Sequence, residues 1–544
     1  MLFWLYCFEF DKMQILEQDR QKSVLIYAVL SGDNRSLRFC AMALVVALLI
    51  FRYKEEKMKK TSLLALLFML CLCLLAFVAC DVDGGNKTNG ETNNGSAENN
   101  GQNLESYYTI SQGLVYISNG DGTCYVRGFV DNLDTVIVIP PISPNGDRVT
   151  GIDNKAFSFH GCESLVSVMI PDSVTSIGTG AFSGCKNLAS VTIPNSVTSI
   201  GDKAFFDCES LASVTISDSV TSIGYRVFYG CKSLKSITIP NGVTSIGSGA
   251  FAYCKDLTSI TIPDSVTSIG NEAFSSCMSI NEVYISDIVA WCNISFDQFN
   301  SIPFDNNYYE KCNLYLNDEI VTDLVIPEGV SKIGSYAFYG FDSLTSIMIP
   351  NSVISIGECA FSDCSSLEKI TVSDNNTKYH SDGNCLIETD TKVLVSGCKK
   401  SIIPTDGSVT AIGDRAFDHC ILESITIPDS ITSIGEGAFW SCWDLKNITI
   451  PDSVTSIGSN AFYNCDSFTR ITIPDSVTSI GYSAFSDCSS LTDVMFETPE
   501  GWWYSSDADA TNGTSISSSD LAHNVKALRC LTIIYEDYYW KRSE

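Results

Sequence analysis

Two observations predict a β-rich solenoid. Between residues 165 and 277 one unit recurs five times, and its closing cysteines, at positions 185, 208, 231, 254 and 277, are 23 residues apart. A fixed period of this length is typical of repeat architectures, in which a unit buries its apolar face only by stacking on its neighbours. Each unit also contains a short stretch in which apolar and hydroxyl side chains alternate, which predicts one strand per coil. We therefore expect 23-residue coils whose strands lie side by side in a parallel concave sheet.

The unit that begins at Leu188 shows how one coil is predicted to fold. Leu188, Val191 and Ile193 have the L-x-x-L-x-L spacing of leucine-rich repeats, and alternation along the strand turns them toward the core. Pro194 is expected to end this strand, because proline lacks an N–H group and fixes its own φ angle. The outward side chains of the strand are serine and threonine, so the exposed face of the sheet is predicted to be rich in hydroxyl groups.

The second half of the unit is predicted to lead the chain to the next strand. Gly201 is interpreted as a residue that allows a backbone angle unfavourable to other side chains. Residues 204–208 are predicted to form a short helical turn that closes the coil. Because equivalent side chains point the same way, the cysteines are expected to be buried thiols rather than disulfides. Beside them we expect a phenylalanine ladder of Phe182, Phe205, Phe228, Phe251 and Phe274.

The unit I-T-I-P-x-S-V-T-S-I-G-x-x-A-F-x-x-C resembles the BspA-type leucine-rich repeats of bacterial cell-surface proteins, and the resemblance covers most of the chain. It implies an adhesin-like surface protein that binds host or extracellular-matrix glycoproteins, or other cells, through the solenoid face. It implies no catalytic residues, and the chain has no nucleophile elbow, P-loop, H-E-x-x-H motif or dinucleotide fingerprint. We therefore expect neither an enzyme nor a cofactor. A glycan-capture module and a passive surface-coat component remain as alternatives.

The first hundred residues contain the predicted export signals. Residues 1–57 are interpreted as an extension of the gene model, since M-K-K at residues 58–60 begins a lipoprotein signal peptide that spans residues 58–80. F-V-A-C at residues 77–80 resembles a lipobox, which predicts lipidation of Cys80 and a bacterial cell-surface or outer-envelope location. An uncleaved signal anchor is the alternative. Residues 81–103 have almost no apolar side chains and are predicted to be a disordered tether.

The remaining boundaries are set where the repeat period holds or fails. The segments are an N-terminal cap (104–148), repeat arrays (149–279, 323–372 and 402–495), an irregular insertion (280–322), a hairpin insertion (373–401) and a C-terminal cap (496–544). In the hairpin, Cys385 and Cys398 form either a disulfide or two separate thiols. The irregular insertion is either a binding bulge or a coil that packs its own aromatic residues, which are Trp291, Phe296, Phe299, Phe304, Tyr308 and Tyr309.

Charge limits the classes of partner. The net charge is −29, which argues against nucleic acid and anionic lipid as partners, because both attract lysine and arginine. Such a charge favours solubility and a monomer. The four histidines are scattered, so no histidine-based metal site is expected. A ladder of turn aspartates, which includes Asp172 and Asp264, is interpreted as turn capping, with calcium binding as the alternative.

Two sets of side chains are candidate binding sites. Hydroxyl groups on the outward face suit many weak contacts with a large partner rather than a tight small-molecule pocket. Members of this predicted binding face are Ser190, Thr192, Ser213, Thr215, Lys235, Thr238, Thr261, Lys446 and Arg470. A candidate glycan platform, whose alternative is ordinary packing inside the cap, consists of Trp502, Trp503 and Trp540.

Overall fold

The computed structural model describes the repeat region and both of its flanks. The described residues are 111, 113–129, 135–158, 162, 164–298, 301–303, 312–534 and 536–543. They belong to one compact unit, Asn103–Glu544. The predicted gene-model extension, signal peptide, lipidated Cys80 and tether lie outside them. Within the described residues, no helix combines the length and the apolar character needed to cross a membrane.

Each regular coil of the first array contributes two short strands, and these strands build two parallel ladders. The first ladder holds the predicted S-V-T and S-I-T strands: β5 (Ser167–Met169), β7 (Ser190–Thr192), β9 (Ser213–Thr215), β11 (Ser236–Thr238) and β13 (Ser259–Thr261). The second ladder, which we did not predict, holds the two-residue strands β6 (Ser176–Ile177), β8 (Ser199–Ile200), β10 (Ser222–Ile223), β12 (Ser245–Ile246) and β14 (Ser268–Ile269). Within each ladder equivalent residues pair in parallel, as Val191 does with Val214 and Ile223 does with Ile246. The pairing is interrupted once in each ladder, between β9 and β11 and between β8 and β10.

The N-terminal flank continues these ladders. β1 (Leu114–Ser118) pairs antiparallel with β2 (Thr123–Phe129), and β2 pairs in parallel with β4 (Arg148–Ile152), which leads into the second ladder. β3 (Val136–Val138) begins the first ladder by pairing with β5. The antiparallel β1 lies at the end of the five-stranded sheet, so the first parallel strand of this ladder is not the sheet edge.

Stacked phenylalanines fill the core, as predicted. Phe182, Phe205, Phe228, Phe251 and Phe274 are all fully buried, and successive ring centroids from Phe182 to Phe274 are 5.3, 5.5, 5.6 and 5.4 Å apart. The stack begins one coil earlier, with Phe157 at 5.2 Å from Phe182. A similar stack runs from Phe417 through Phe439 and Phe462 to Phe485, with each spacing at 5.2 Å.

The cysteine ladder consists of buried thiols, which confirms that prediction. Cys208 and Cys231 are free and completely buried, and the Cys208 thiol donates a hydrogen bond to the carbonyl of Phe182 in the preceding coil (3.2 Å). Cys231 makes the equivalent contact with Phe205 (3.4 Å). Burial raises the pKa of both thiols, so neither supplies a thiolate nucleophile near neutral pH. The ladder therefore joins neighbouring coils through thiol–carbonyl contacts as well as apolar packing.

The segment that closes each coil is a run of tight turns, and not the short helical turn that we predicted. Lys203 (φ 57°) and Asp207 (φ 54°) have left-handed backbone angles, which interrupt a right-handed helix. Between them the N–H of Phe205 donates to the carbonyl of Val227 in the next coil (2.9 Å). Left-handed residues recur at both positions in later coils. Bonds to the next coil alternate with single-turn bonds inside the segment, such as that from the N–H of Phe206 to the carbonyl of Lys203 (3.1 Å).

Gly201 is required in the coil, but not for the backbone angle that we predicted. Gly201 does not have a positive φ angle. A Cβ atom at this position would instead lie 2.5 Å from the backbone nitrogen of Thr179 and 2.7 Å from the carbonyl carbon of Gly178. Contacts below 3.0 Å are essentially never seen for real Cβ atoms. The glycine is required because the backbones of adjacent coils approach each other closely there.

After the first array the coils become irregular. The elements here are β15 (Glu282–Ile285), α1 (Ile288–Cys292), β16 (Ser295–Phe296), β17 (Asn313–Leu316) and β18 (Glu319–Ile320). β15 and β17 extend the first ladder in parallel, and β18 folds back antiparallel on β17. Regular coils then supply β19 (Asp323–Val325), β20 (Lys332–Ile333), β21 (Ser346–Ile349), β22 (Ser355–Ile356) and β23 (Lys369–Val372).

A short antiparallel sheet precedes the last coils. It contains β24 (Tyr379–Asp382), β25 (Cys385–Glu388) and β26 (Val393–Ser396), and β26 pairs in parallel with the two-residue ladder of β27 (Ala411–Ile412), β28 (Ser433–Ile434), β29 (Ser456–Ile457) and β31 (Ser479–Ile480). Cys385 and Cys398 are both buried free thiols, so the alternative of two separate thiols is the one that the structure shows. β30 (Arg470–Ile473) and β32 (Asp493–Phe496) form a separate parallel pair.

The C-terminal segment packs antiparallel strands and short helices against the last coil. β35 (Tyr539–Arg542) pairs antiparallel with β31 and with β33 (Trp502–Ser505), and β33 also pairs with β34 (Thr514–Ser515). Between these strands lie α2 (Ser518–Leu521), α3 (Asn524–Arg529) and a π-helix (Cys530–Ile534). Antiparallel pairing ends the parallel ladder, which is how a terminal segment blocks the addition of further coils.

Candidate interaction surface

The predicted binding face is divided: seven of its residues lie on or beside the exposed strands of the first ladder, whereas Lys446 and Arg470 lie in the last array. All nine of its residues are exposed: Ser190, Thr192, Ser213, Thr215, Lys235, Thr238, Thr261, Lys446 and Arg470. Register places them in rows, because Ser190 pairs with Ser213 and Thr192 with Thr215. Strand alternation therefore produces adjacent rows of serine and threonine side chains along neighbouring coils.

Two of the predicted cations are in ion pairs. Lys446 Nζ lies 3.2 Å from Glu423 Oε2, and Arg470 Nε lies 2.9 Å from Asp493 Oδ2, each acid being one coil away. Both lysine and arginine side chains are well exposed, at 58% and 72%, so these pairs contribute little to stability. They belong to a part of the chain remote in sequence from the Ser190–Thr261 rows, and the structure does not pair their strands with those rows.

The glycan platform predicted from Trp502, Trp503 and Trp540 is wrong for two of its three members. Trp502 and Trp540 are each 1% exposed. The Trp502 ring lies edge-on to Trp540 (6.3 Å) and to Phe496 (5.4 Å), and its Nε1–H donates to the Thr498 carbonyl (3.0 Å). These rings cover the apolar end of the last coil, and the remaining residue, Trp503, is only partly exposed.

The described aromatic residues of the irregular insertion pack inward. Trp291, on α1, is 2% exposed and donates from Nε1 to the carbonyl of Ala337 (2.7 Å). Phe296 is 6% exposed and meets Trp291 edge-on at 5.7 Å. These two residues support the coil that packs its own aromatic side chains. Phe299, Phe304, Tyr308 and Tyr309 lie outside the described residues.

The exposed row of threonines on the first ladder continues into aromatic residues, which we did not predict from the sequence. Thr261 pairs with Tyr284, Tyr284 pairs with Tyr315, and Tyr315 pairs with Ile320, so the threonine row continues into aromatic and aliphatic side chains. The rings of Tyr284 and Tyr315 stack with centroids 4.7 Å apart. We call Tyr284, Tyr315 and Ile320 the tyrosine patch. The signal was present in the strand E-V-Y-I, whose third residue occupies the threonine position.

A charged cluster lies where the hairpin sheet interrupts the coils. The carboxylate of Asp418 is fully buried and lies 3.2 Å from Arg415 Nη1 and 2.7 Å from His419 Nδ1. The backbone N–H of Asp363, from the coil before the hairpin, donates to the carbonyl of Asp418 (3.2 Å). The adjoining cavity, lined in part by Arg415 and Glu358, has a volume of about 160 Å³. Ligand pockets usually measure about 300–1,000 Å³, so this cavity is too small for an ordinary substrate.

Two side chains of the charged cluster, Asp363 and His419, have raised pKa values. Burial raises the pKa of the Asp363 carboxyl to about 7; the charges of Asp418 and Asp342 also raise it, whereas His419 lowers it. Burial lowers the pKa of His419, but the hydrogen bond to Asp418 and the negative charges of Asp418 and Asp363 outweigh burial and the opposing Arg415. The net pKa of His419 is therefore raised. Both groups hold protons more firmly in the folded chain than in the unfolded chain.

We expect Asp363→Asn to stabilise the protein at alkaline pH. The folded state loses stability as the unfolded chain ionises Asp363, from about pH 4 up to about pH 7, and His419 adds a loss as pH rises through its raised pKa above about 6.5. Asp363 is half-buried as a residue, so solvent screening reduces the full effect of the pKa shift. We expect Asp363→Asn to match the native chain near about pH 4 and to exceed its stability by about 1–2 kcal/mol near about pH 8. Urea unfolding followed by tryptophan fluorescence measures this, because Trp443 lies edge-on to His419. The exposed Asp452→Asn is the control, and equal effects of both variants at both pH values would contradict the prediction.

Within the described residues, no group of three or more His, Cys, Asp or Glu side chains could hold a metal ion. The turn aspartates are spaced one per coil, and Asp264, for example, accepts a hydrogen bond from Ser286 Oγ (2.7 Å). Asp475 accepts from Thr498 Oγ1 (2.7 Å) and pairs with Arg542 Nη1 (3.0 Å). These contacts support the role of the aspartates in turns.

Comparison with known proteins agrees with the repeat pattern. The BspA type leucine rich repeat region matches in six copies, over residues 150–281, 305–383 and 406–530. The chain is similar to the solved structure of a leucine rich cell surface protein from Faecalibacterium prausnitzii A2-165, with 30% identity, 72% of this chain and 94% of that chain covered, and a TM-score of 0.39. It is also similar to a leucine-rich repeat protein from Bacteroides ovatus ATCC 8483, with 31% identity, coverage of 72% and 94%, and a TM-score of 0.42. A search of curated proteins found no match.

The matched repeat region covers more than half of the chain. The parallel ladders, the stacked phenylalanines and the buried cysteines are the structural counterpart of the regular 23-residue spacing of this repeat. Because the repeat model matches more than half of its residues, the chain belongs to the BspA-type leucine-rich repeat family.

Proposed function

We propose that this protein is held at the bacterial cell surface, through a lipid on Cys80, and binds host or extracellular-matrix glycoproteins, or other cells. The binding face is the exposed side of the first ladder. Family membership supports the surface location, since a relative from Faecalibacterium prausnitzii is described as a cell surface protein. Binding experiments test the adhesin-like role and its partners.

The observation that carries the proposal is the regular exposed row of hydroxyl groups. Thr192 and Thr215 pair on adjacent coils, and so do Thr238 and Thr261; all four are exposed, while Val191 between Ser190 and Thr192 is 4% exposed. A hydroxyl both donates and accepts hydrogen bonds, so the row offers many equivalent weak contacts. Such contacts become strong binding only when many of them engage one large partner at once.

The test is equilibrium binding of the full-length chain, purified in detergent, to immobilised fibronectin, fibrinogen and a glycan array at physiological salt. We expect saturable binding to a glycoprotein. Ser190→Glu combined with Ser213→Glu should weaken it about tenfold, because two charges are placed within the exposed row. The matched control is Ser199→Glu combined with Ser222→Glu, which changes exposed serines of the same coils on the second ladder and should bind normally.

Each other outcome favours a different function. No saturable binding to any surface would support a passive surface-coat component. Equal loss in both double variants would remove the first ladder as the binding face. Binding confined to glycans and lost in Trp503→Ala would support glycan capture by the partly exposed tryptophan of the C-terminal segment.

A further inference from the structure

The tyrosine patch differs in chemistry from the rest of the outward row. Upstream, Thr238 and Thr261 pair in the same sheet, and the next strands replace threonine by Tyr284 and then Tyr315. Ile320, on the antiparallel β18, completes the patch and is 47% exposed. Strand alternation turns Tyr284 and Tyr315 outward, because Val283 and Leu314, which directly precede them, are fully buried.

Two acidic residues lie beside the patch. Glu282 is two residues from Tyr284 on the same strand and accepts a hydrogen bond from the Tyr284 hydroxyl (3.0 Å). Asp318 is exposed in the turn that joins β17 to β18, where its φ angle is 65°. Burial is the main cause that raises the pKa of the Tyr284 hydroxyl, the hydrogen bond to Glu282 is the next, and the charges of Glu282, Tyr315 and Asp318 raise it further. Neither Glu282 nor Asp318 is in an ion pair with another described residue.

The chemistry of the patch favours one class of partner. Tyrosine rings attract guanidinium and ammonium groups through their π faces and also bury aliphatic or aromatic side chains well. Carboxylates beside the rings add attraction for lysine and arginine, and a net charge of −29 extends that attraction over the whole chain. An acidic partner would be repelled by the same groups. The patch is therefore complementary to a polypeptide that is both cationic and apolar.

We propose that the tyrosine patch, with Glu282 and Asp318 at its rim, is the docking point for a cationic segment of a partner protein. In this arrangement an aromatic or aliphatic side chain of the partner packs against Tyr284, Tyr315 and Ile320. Flanking arginine or lysine side chains pair with Glu282 and Asp318. The upstream threonine rows then contribute the weaker contacts around this centre, as is usual for protein interfaces with a small energetic core. The inference rests on the proposed function, because it names the partner chemistry for the same face.

The experiment compares three short fluorescent peptides of equal length, each with one central tryptophan. The tryptophan is flanked by lysine and arginine in the first peptide, by serine in the second and by glutamate in the third. Fluorescence anisotropy measures their binding to the full-length chain in detergent at low and physiological salt. We expect the cationic peptide to bind at least about tenfold more tightly than the other two, and its affinity to fall as salt is raised.

Matched variants locate the binding site. Tyr284→Thr combined with Tyr315→Thr restores the threonine row and should weaken the cationic peptide by about tenfold or more. The control removes two exposed tyrosines elsewhere, in Tyr225→Ser combined with Tyr253→Ser, and should bind normally. Glu282→Gln combined with Asp318→Asn should remove the preference for the cationic peptide over the serine peptide, whereas removal of two exposed turn charges in Asp429→Asn combined with Asp452→Asn should keep it.

The proposal is overturned if the cationic peptide binds no better than the glutamate peptide, or if both tyrosine variants lose binding equally. It is also overturned if the two charge variants behave alike, since attraction would then come from net charge alone. The outcome for the proposed function is separate. Glycoprotein binding that is unaffected by Tyr284→Thr and Tyr315→Thr would leave that function intact and reject the patch. Peptide binding at the patch without any glycoprotein binding would support the patch and reject the proposed function.

Discussion

Replacement of Phe228 by alanine is expected to destabilise the solenoid by about 3–5 kcal/mol, which is the usual cost of removing a buried aromatic side chain. Phe228 is fully buried, and its ring stacks between those of Phe205 at 5.5 Å and Phe251 at 5.6 Å. The change therefore removes packing on two sides at once. In a solenoid each coil is stabilised by its neighbours, so the loss also weakens the coils before and after it.

The control for Phe228→Ala is Phe206→Ala, which removes the same side chain from the edge of an adjacent coil. Phe206 is partly exposed and stacks on one side only, with Tyr229 at 4.8 Å. We expect a cost of about 1 kcal/mol, in line with a single aromatic pair. Urea unfolding followed by circular dichroism measures both variants, and limited proteolysis should show new cleavage near residue 228 only in Phe228→Ala. Equal costs for the two variants would mean that the stack is not the main source of stability.

The stack was predictable because a fixed period places equivalent residues next to each other. Once the period was known, equivalent side chains of successive coils had to form ladders, whatever the details of the turns. This holds for Phe205 and Phe228 and for the repeated cysteines. The same reasoning fails wherever the period fails. Tyr284 and Tyr315 are 31 residues apart, and the chain between them includes a helix and a further strand, so only the observed register shows that they pair.

The tryptophans of the C-terminal segment show a second limit. Trp502 and Trp503 are adjacent in sequence and on one strand, so one of them had to turn away from the other. Which one turns inward depends on the antiparallel pairing of β33 with β35, and that pairing brings Trp540 against Trp502. A non-repeating segment carries no period from which this could be inferred. Composition alone suggested an exposed aromatic platform, whereas Trp502 and Trp540 are buried against the last coil.

The charged cluster at the hairpin could also be predicted only in part from the sequence. Asp418 occupies the position that holds Phe206, Tyr229 and Trp440 in other coils, which a comparison of the units could have noted. Its contacts with Arg415 and His419 are local, but its contact with Asp363 spans the whole hairpin insertion. The sequence could indicate an unusual residue at that position, but it could not show that its charge helps to raise the pKa of Asp363, which lies in another coil.

Replacement of Gly201 by alanine is expected to cost about 3 kcal/mol or more, at the upper end of the range for overpacked cores. The added Cβ would lie 2.5 Å from the backbone nitrogen of Thr179, and a backbone atom cannot move aside as the end of a side chain does. Relief would require the two coils to separate, which would also open the phenylalanine stack between Phe182 and Phe205. Close approach, rather than the backbone angle, is the physical reason for the glycine.

Gly180→Ala separates these two reasons, because Gly180 has the opposite properties. Its φ angle is +62°, but a Cβ there would meet nothing closer than Lys155 Cγ at 3.5 Å. The equivalent position in the next coil is Lys203, which has a φ of 57° with a full side chain. We therefore expect Gly180→Ala to cost only about 1–2 kcal/mol, the penalty for a left-handed residue.

Gly458→Ala repeats the experiment in the last array, where the Cβ would lie 2.5 Å from the carbonyl carbon of Gly435. We expect the free energy of unfolding, measured in urea, to fall as much as in Gly201→Ala. If Gly180→Ala were as costly as Gly201→Ala, the recurring I-G pair would be explained by backbone angle after all. If Gly201→Ala alone were costly, the close approach would be particular to one pair of coils. Large and similar losses at both Gly201 and Gly458 would show that one steric requirement, repeated in each coil, sets the distance at which the coils stack.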